Sequence, residues 1–337
     1  MQHPWLRRPV TVGLYMAAWL LYLALLPAAL PVALVVDVVR RTRLAMVRVV
    51  LFAGVYLLCE QVGVLASVAL WLANGGPLGR PERPAYVRWH IVLQRWWSET
   101  LFRAIRGLLG LRLTVEGLEA CRLGEGPTII FIRHAGMVDT LLPSHFIANA
   151  QGVHMKFVLS DNLRWDPCLD IVGERLGNIF VRKGSGRAEQ EVARIVATLD
   201  GLASDEGLLI YPEGMRLTAA RRERVMEAMR RRGEVELLRR SEGLRRLMPP
   251  KLGGAMGLLA NNARADIVFF AHAGLDDFQS VGKLLDGSMV GAEVRIKAWR
   301  LSRSEVPEDA EGQLDWFFQE WFAMDRWVDA QLGELNS

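Results

Sequence analysis

The stretch "TIIFIRHAGMVDT", residues 128–140, joins an apolar run to a cluster of polar side chains. Its first five residues are apolar or β-branched, a composition typical of a buried strand. Arg133 and His134 follow that run, and Asp139 comes five residues after the histidine. Because such a spacing on one continuous helix separates two side chains by about 140°, the pair meets only if His134 precedes the helix. The stretch therefore predicts a buried strand that ends in a His–Asp pair.

The spacing alone is a weak signal, because "HAGLDD", from His272 to Asp277, repeats it. The surroundings of His134 are more informative. Two later predicted strands also end in polar residues, in "NIFVRKGSG" and "LLIYPEGMR". Three strand ends would then present a His–Asp pair, a basic pair and a Glu–Arg pair to one rim. Asp139 would accept from one imidazole nitrogen of His134 and leave the other nitrogen as a base.

Beyond residue 84, short apolar runs alternate with longer helical patterns, which favours an α/β fold with a largely parallel sheet covered by helices. In such sheets, ligands bind beyond the carboxyl ends of the strands. The predicted strands are residues 128–132, 154–159, 178–182, 208–211, 267–271 and 293–299. The predicted helices between them are residues 138–149, 167–176, 187–202 and 219–247.

The front of the chain differs in composition. Residues 10–36 carry no charge, and residues 49–73 carry only Glu60. Each stretch exceeds the ~20 residues that cross a hydrocarbon core, and Pro27 and Pro31 are expected to kink or break the first helix. The sequence thus predicts a membrane-anchoring helical hairpin in residues 1–75, a Gly/Pro linker in 76–84 and an α/β domain in 85–337 with a C-terminal amphipathic helix. Basic residues on both flanks and in the connector leave open whether the hairpin spans or re-enters the membrane.

The formal net charge of +4 suits an anionic membrane surface as well as nucleic acid. No zinc-finger spacing, RNA-recognition signature or glycine-rich phosphate loop is present, so nucleic acid is disfavoured as a partner. The three cysteines are odd in number and widely spaced. They indicate neither a disulfide framework nor a metal site, and the six histidines show no ligand spacing. We expect no bound metal.

Four blocks in order give the chain a resemblance to the lysophosphatidic acid acyltransferases, a family of glycerolipid acyltransferases. They are "RHAGMVD", "GNIFVRK", "YPEGMR" and "DIVFF". The stretch "LMPPKLGGAMGLL" also resembles the Leu-Pro-x-Lys-x-Gly segment of a membrane-anchored subgroup. Arg133, Gly136 and Met215 depart from the family pattern, which usually has Asn or Ser, Ser, and Thr or Ser at these positions.

The resemblance implies transfer of an acyl group from acyl-CoA or acyl carrier protein to a lysophospholipid hydroxyl. His134 would act as the base and Asp139 would orient it. The acyl donor would be a co-substrate, and no separate cofactor is expected. The resemblance also implies an enzyme in the cytoplasmic membrane with its catalytic domain facing the cytoplasm, in contact with membrane lipids. The residues expected to bind substrate are Glu213, Gly214, Arg216, Arg182, Lys183 and Lys251.

Two alternatives to a lysophosphatidic acid acyltransferase stay open. The acceptor would be a different lyso-lipid, such as an amino-acid lipid, if Arg133, Gly136 and Met215 alter its site. A non-catalytic lipid-binding protein on the same fold is the other alternative. The presence of His134, Asp139, Glu213 and Arg216 argues against it, because such a protein has no need of them.

Overall fold

The computed structural model describes residues 3–122, 126–136, 138–182, 186, 188–276, 278 and 281–335. The described residues form a seven-stranded sheet in the order β1-β7-β6-β2-β5-β3-β4. Neighbouring strands are parallel except β6 and β7, which are antiparallel. The strands are β1 Arg112–Glu116, β2 Thr128–Ile132, β3 His154–Ser160, β4 Ile179–Val181, β5 Glu206–Ile210, β6 Asp266–Ala273 and β7 Glu293–Leu301.

Helices cover both faces of this sheet, which confirms the predicted α/β class. In the central strand β2, Ile129 and Phe131 point into one hydrophobic core, and Ile130 and Ile132 point into the other. This alternation follows from the two-residue period of a strand. The helices are α1 Pro4–Arg40, α2 Ala45–Ala73, α3 Pro84–Leu109, α4 Leu141–Pro143, α5 Pro167–Arg175, α6 Ala188–Asp200, α7 Ala219–Arg232, α8 Val235–Glu242, α9 Leu252–Ala260, α10 Val281–Leu285 and α11 Ala310–Leu335.

Most predicted elements are present, and β2 has the predicted bounds. The helix predicted over residues 138–149 begins only at Leu141, because the preceding backbone is bound to Asp139. It starts as the short α4 and continues as a π-helical turn, Ser144–Asn149. The predicted helix over residues 219–247 divides into α7 and α8. Gly233 caps α7 with a φ of +69°, a conformation that ends an α-helix. β1, α3, α9 and α10 were not predicted.

α1 and α2 pack against each other and are long and apolar enough, by length and composition, to cross a membrane. Of the expected kink or break, the break does not occur: α1 continues through both Pro27 and Pro31. Each proline removes one backbone hydrogen bond, and the neighbouring turns hold the helix together.

The C-terminal helix α11 packs on the domain, as its sequence indicates. Phe317, Trp321 and Met324 on its inner face are buried in the core that also contains Phe131. The ring of Phe317 lies edge-on to that of Phe131, with 5.3 Å between the ring centroids. This layer therefore supports the strand that leads to His134.

Candidate active site

The predicted His–Asp pair is formed at the carboxyl end of β2. The Nδ1 atom of His134 lies 2.9 Å from Oδ2 and 3.1 Å from Oδ1 of Asp139. The same Oδ2 accepts hydrogen bonds from the amides of Ala135 (2.7 Å) and Gly136 (3.0 Å). Asp139 is fully buried, whereas His134 is 23% exposed. The aspartate thus fixes the imidazole through Nδ1 and leaves its Nε2 as the free proton acceptor.

Glu213 lies directly behind His134, in the turn after β5. Its Oε2 accepts from the amide of His134 at 3.0 Å, and its Oε1 accepts from the amide of Met248 at 3.3 Å. The side chain is 2% exposed. Burial raises the pKa of Glu213 to about 8, although Arg133 and the two amides act in the opposite direction. In the free protein this carboxylate contacts the backbone, so its predicted contact with substrate stays a prediction.

Arg133 extends from the strand end into the interior, on the side opposite His134. Its guanidinium donates to the carbonyl of His272 at 2.6 Å, to Oδ1 of Asp276 at 2.5 Å and to the carbonyl of Arg246 at 3.3 Å. His272 lies close by, with Nε2 3.7 Å from Oδ2 of Asp139. Burial lowers the pKa of His272 to about 4, so this histidine is neutral at pH 7.

A cleft of about 460 Å³ opens beside His134. It runs past the carboxyl ends of the four neighbouring strands β2, β5, β3 and β4. At the usual separation between strands, this row is about 14 Å wide. Its walls are mainly apolar, and the polar groups near His134 are few. Its apolar lining includes Val158, Leu159, Leu163, Val181, Val192, Ile195 and Ile210. Such a cleft accommodates a chain-like apolar ligand.

Two of the predicted binding residues, Gly214 and Lys251, meet at the edge of this cleft. Gly214 has a φ of +63°, and a Cβ atom there would lie 3.0 Å from Cδ of Lys251. The Lys251 side chain therefore packs over the glycine, and its amide donates to the carbonyl of Pro212 at 2.7 Å. Burial lowers the pKa of the Lys251 amine. The lysine and His134 line the same cleft.

The other predicted basic residues are further from the dyad. Arg182 lines the far end of the cleft and pairs with Oδ2 of Asp161 at 3.0 Å. Arg216 is half-buried beyond the turn at Gly214, and its carbonyl accepts from Arg221 at 3.3 Å. Lys183 lies outside the described residues. The fold thus gathers His134, Asp139, Gly214, Lys251 and Arg182 at one rim.

Sequence reasoning missed three residues of the site. Arg133 was noted only as a departure from the family pattern, and His272 only as part of a repeated spacing. Tyr211 packs its ring on the imidazole of His134, with 4.8 Å between the ring centroids. A charged residue at the end of a fully apolar strand was the available signal for Arg133, because a buried charge requires partners. In the part of the chain that is described, no group of three or more His, Cys, Asp or Glu residues could hold a metal ion.

A model of the Acyltransferase family matches residues 112–268, which include the strand β2 and the His–Asp pair at its carboxyl end. The match supports the resemblance to the glycerolipid acyltransferases that the four blocks indicate. A solved structure with a similar fold is the 1-acyl-sn-glycerophosphate (LPA) acyltransferase PlsC from Thermotoga maritima, with a TM-score of 0.55 and 15% sequence identity. The similarity covers 86% of this chain and 97% of that chain. No curated protein matches the sequence.

Proposed function

We propose that this protein is a membrane-bound acyltransferase that moves a fatty acyl group from a thioester to the free hydroxyl of a lysophospholipid. Lysophosphatidic acid, which would become phosphatidic acid, is the acceptor that fits best. The observation that carries the proposal is the His134–Asp139 pair, held by 2.9 Å and 3.1 Å contacts at the edge of an apolar cleft. A positioned base next to a chain-like cavity suits acyl transfer to a hydroxyl.

The proposed reaction begins when Nε2 of His134 takes the proton of the acceptor hydroxyl. The hydroxyl oxygen attacks the thioester carbonyl carbon and forms a tetrahedral oxyanion. The C–S bond then breaks, and the departing thiolate receives the proton from the imidazolium. Asp139 stabilises this imidazolium through the Nδ1 hydrogen bond. The products are the ester and the free thiol of the donor, and general-base help of this kind contributes ~10²–10⁴ in rate.

Basic residues around the rim are proposed to hold the anionic parts of the substrates. Lys251 and Arg182 line the cleft, and Arg216 follows Glu213 by three residues. An arginine can bind two phosphate oxygens with its planar fork, whereas a lysine acts as a point charge. Lys183 and Glu213 complete the proposed substrate-binding set. No cofactor is part of this proposal, because acyl-CoA or acyl carrier protein brings the acyl group.

The proposed location is the cytoplasmic membrane, with the catalytic domain facing the cytoplasm. The support for it is the pair α1 and α2, which are long and apolar enough, by length and composition, to cross a membrane. A lysophospholipid acceptor also resides in a membrane. The orientation is an expectation that follows from the cytoplasmic origin of the acyl donors.

A different lyso-lipid, for example one with an amino-acid headgroup, is the second candidate acceptor. The observation that favours it is the packing around Gly136. A Cβ atom at Gly136 would lie 3.0 Å from the carbonyl oxygen of Leu275, so the serine usual in the family does not fit here without movement. The packing beside Asp139 is thus adapted to a glycine at this position.

The test is radiolabelled acyl transfer by the purified full-length protein, with acyl-CoA and acyl carrier protein donors and a panel of lyso-lipids. His134→Ala is compared with His145→Ala. The two histidines have similar exposures, 23% and 25%, and each contacts a carboxylate through Nδ1. His145 pairs with Glu99 instead and does not line the cleft.

Transfer to lysophosphatidic acid that is lost in His134→Ala and kept in His145→Ala supports the main proposal. Transfer to another lyso-lipid keeps the mechanism and changes the acceptor. If the folded wild-type protein transfers no acyl group to any acceptor but still binds lipid, the enzymatic proposal fails in favour of a lipid-binding role.

A further inference from the structure

A second cavity, of about 340 Å³, adjoins the cleft at the carboxyl ends of β3 and β4. Ser160, Val181 and Arg182 line both cavities, so the two meet at the end of the cleft that is far from His134. We call the second cavity the arginine chamber. The polar and charged side chains that line it are Arg7, Ser160, Asp161, Asn162, Arg164 and Arg182.

The walls of the arginine chamber carry more positive than negative charge. Among the described residues, three arginines line it and a single carboxylate, that of Asp161. Arg7 is held from behind by both oxygens of the fully buried Asp170, at 2.7 and 3.0 Å. The other two arginines therefore share one acidic partner inside the chamber.

Asp161 lies between these two guanidiniums. Its Oδ1 is 3.0 Å from Nε of Arg164, and its Oδ2 is 3.0 Å from Nη2 of Arg182. Arginine binds carboxylate and phosphate oxygens with the same planar fork, so this carboxylate occupies a position that suits a phosphate. Asp161 and Arg182 are 28% and 46% exposed and have room to move, whereas Arg164 also contacts Asp170 and Glu174 and stays in place.

The arginine chamber is far from His134. In the sheet, β3 and β4 are the second and third strands from β2, which places their ends about 10 and 14 Å away at the usual strand separation. In lysophosphatidic acid, the phosphorus lies only about 5 Å from the free hydroxyl. In an acyl donor, about 13 bonds separate the thioester sulfur from the phosphorus of the pantetheine arm, or about 15 Å when extended. Of these two phosphates, the donor's is the one that reaches the chamber.

The change from an apolar cleft to a charged chamber also identifies the ligand. A fatty chain ends in a methyl group, which cannot replace the polar partners of a guanidinium. A pantetheine arm has methylene and dimethyl groups that suit the apolar walls of the cleft, and it ends in a charged phosphate. The sequence of surfaces thus matches the arm better than it matches a fatty chain.

We propose that the arginine chamber binds the phosphate of the acyl donor's phosphopantetheine arm through Arg164 and Arg182, while the arm lies in the cleft that leads to His134. Asp161 takes the place of this phosphate in the free protein and moves aside when the donor binds. Acyl-CoA and acyl carrier protein have the same arm, so the site serves either donor. The role of the ligand as acyl donor rests on the proposed function, but binding of the phosphate does not.

The first test compares pantetheine with 4′-phosphopantetheine, which differ only in the phosphate. Isothermal titration of the full-length protein in detergent measures their binding and requires no enzymatic activity. The variants are Arg164→Gln, Arg182→Gln, Asp161→Asn and the control Arg295→Gln. Arg295 is 23% exposed, against 17% for Arg164, and also pairs with two carboxylates, but it lies on β7 and lines neither cavity.

We expect the wild type to bind 4′-phosphopantetheine about tenfold more tightly than pantetheine, the usual effect of a charge-assisted hydrogen bond. Arg164→Gln and Arg182→Gln are each expected to remove most of this preference, and Arg295→Gln to keep it. Asp161→Asn is expected to increase it, because the neutral side chain no longer competes with the phosphate for the two guanidiniums.

The second test is steady-state acyl transfer by Arg182→Gln. We expect KM to rise by about tenfold for acyl-CoA and for acyl carrier protein alike, with KM for the lyso-lipid unchanged. A rise for the lyso-lipid alone would assign the chamber to the lipid headgroup and overturn the proposal. A rise for acyl-CoA alone would assign it to the nucleotide phosphates and overturn it as well.

In the binding test, three results overturn the proposal: equal binding of both ligands by the wild type, a preference that survives both arginine variants, or a preference that Asp161→Asn reduces. If Arg164→Gln does not fold, Arg182→Gln and Asp161→Asn decide, since both change partly exposed side chains. If the wild-type protein transfers no acyl group, the proposed function fails, while the binding preference still tests the chamber.

Discussion

Asp139 accepts hydrogen bonds from His134 and from the amides of Ala135 and Gly136, all within one turn of chain. The loop thus wraps around a single carboxylate oxygen. This local arrangement requires no distant partner. It explains why a spacing of five residues produces a contact that a regular helix would prevent.

Asp139→Asn separates the charge of this residue from its geometry. An asparagine carbonyl oxygen can take the place of Oδ2, but it carries no charge to stabilise the imidazolium of His134. We expect kcat to fall by ~10³–10⁴, as for the equivalent loss in a hydrolase triad. Steady-state acyl transfer measures the loss, and circular dichroism verifies the fold. Activity within tenfold of the wild type would show that the charge of Asp139 is dispensable.

Glu213 makes the stability of the protein dependent on pH. Its pKa is about 8 in the folded protein, compared with 4.5 for an exposed glutamate. Its contribution to stability is therefore fully present below pH 4.5. It declines as pH rises toward 8, because the unfolded chain ionises first.

Replacement of Glu213 by glutamine removes this dependence. Between pH 4.5 and pH 8, we expect the unfolding free energy of the wild type to fall, relative to that of Glu213→Gln, by ~1.4 kcal/mol per pH unit. Unfolding of both proteins at pH 5, 6, 7 and 8 measures it. A difference that stays constant over this range would mean that Glu213 is already ionised at pH 5.

The helices on the cleft side pack closely because α9 contains several glycines. At Gly257, a Cβ atom would lie 2.9 Å from Cγ1 of Val192 and 3.2 Å from Cγ2 of Val196, both on α6. At Gly107 on α3, by contrast, no atom lies within 4 Å of such a Cβ. These two helical glycines therefore differ only in what surrounds them.

We expect Gly257→Ala to lower the unfolding free energy by about 1–3 kcal/mol, because the added methyl group overpacks the interface of α6 and α9. Gly107→Ala is expected to raise it by about 0.5–1 kcal/mol, since alanine favours a helix. Denaturant unfolding of both variants gives the two values. Equal effects would indicate that helix propensity, rather than packing, determines the outcome at Gly257.

Across the whole molecule, α1 and α2 are attached to the catalytic domain by buried polar contacts. Glu60 on α2 accepts from Nε1 of Trp97 at 2.8 Å and from the amide of Cys168 at 3.0 Å. Arg7 on α1 pairs with Asp170. These contacts involve α3 and α5, so the apolar helices are continuous with the structure that carries the cleft.

Membrane association is the property of the whole chain that is simplest to test. Outward-facing apolar side chains of α1 and α2 include Leu14, Leu21, Val35, Leu58 and Leu65, all more than 40% exposed. We expect the full-length protein to remain with membranes after an alkaline carbonate wash and to be released by detergent. A loosely associated surface protein would be released by the wash. Recovery of the protein in the wash would contradict a membrane-inserted hairpin.

The sequence by itself determined the class of fold and the His134–Asp139 pair. Both depend on local patterns: apolar runs set the strands, and five residues of loop set the pair. Only the tertiary structure decided what lies beneath the pair. Glu213 is 79 residues from His134 in the chain, and Asp276 is 143 residues from Arg133. Their contacts depend on the order of strands, because β5 and β6 flank β2 in parallel register and bring their distant carboxyl ends to the same rim.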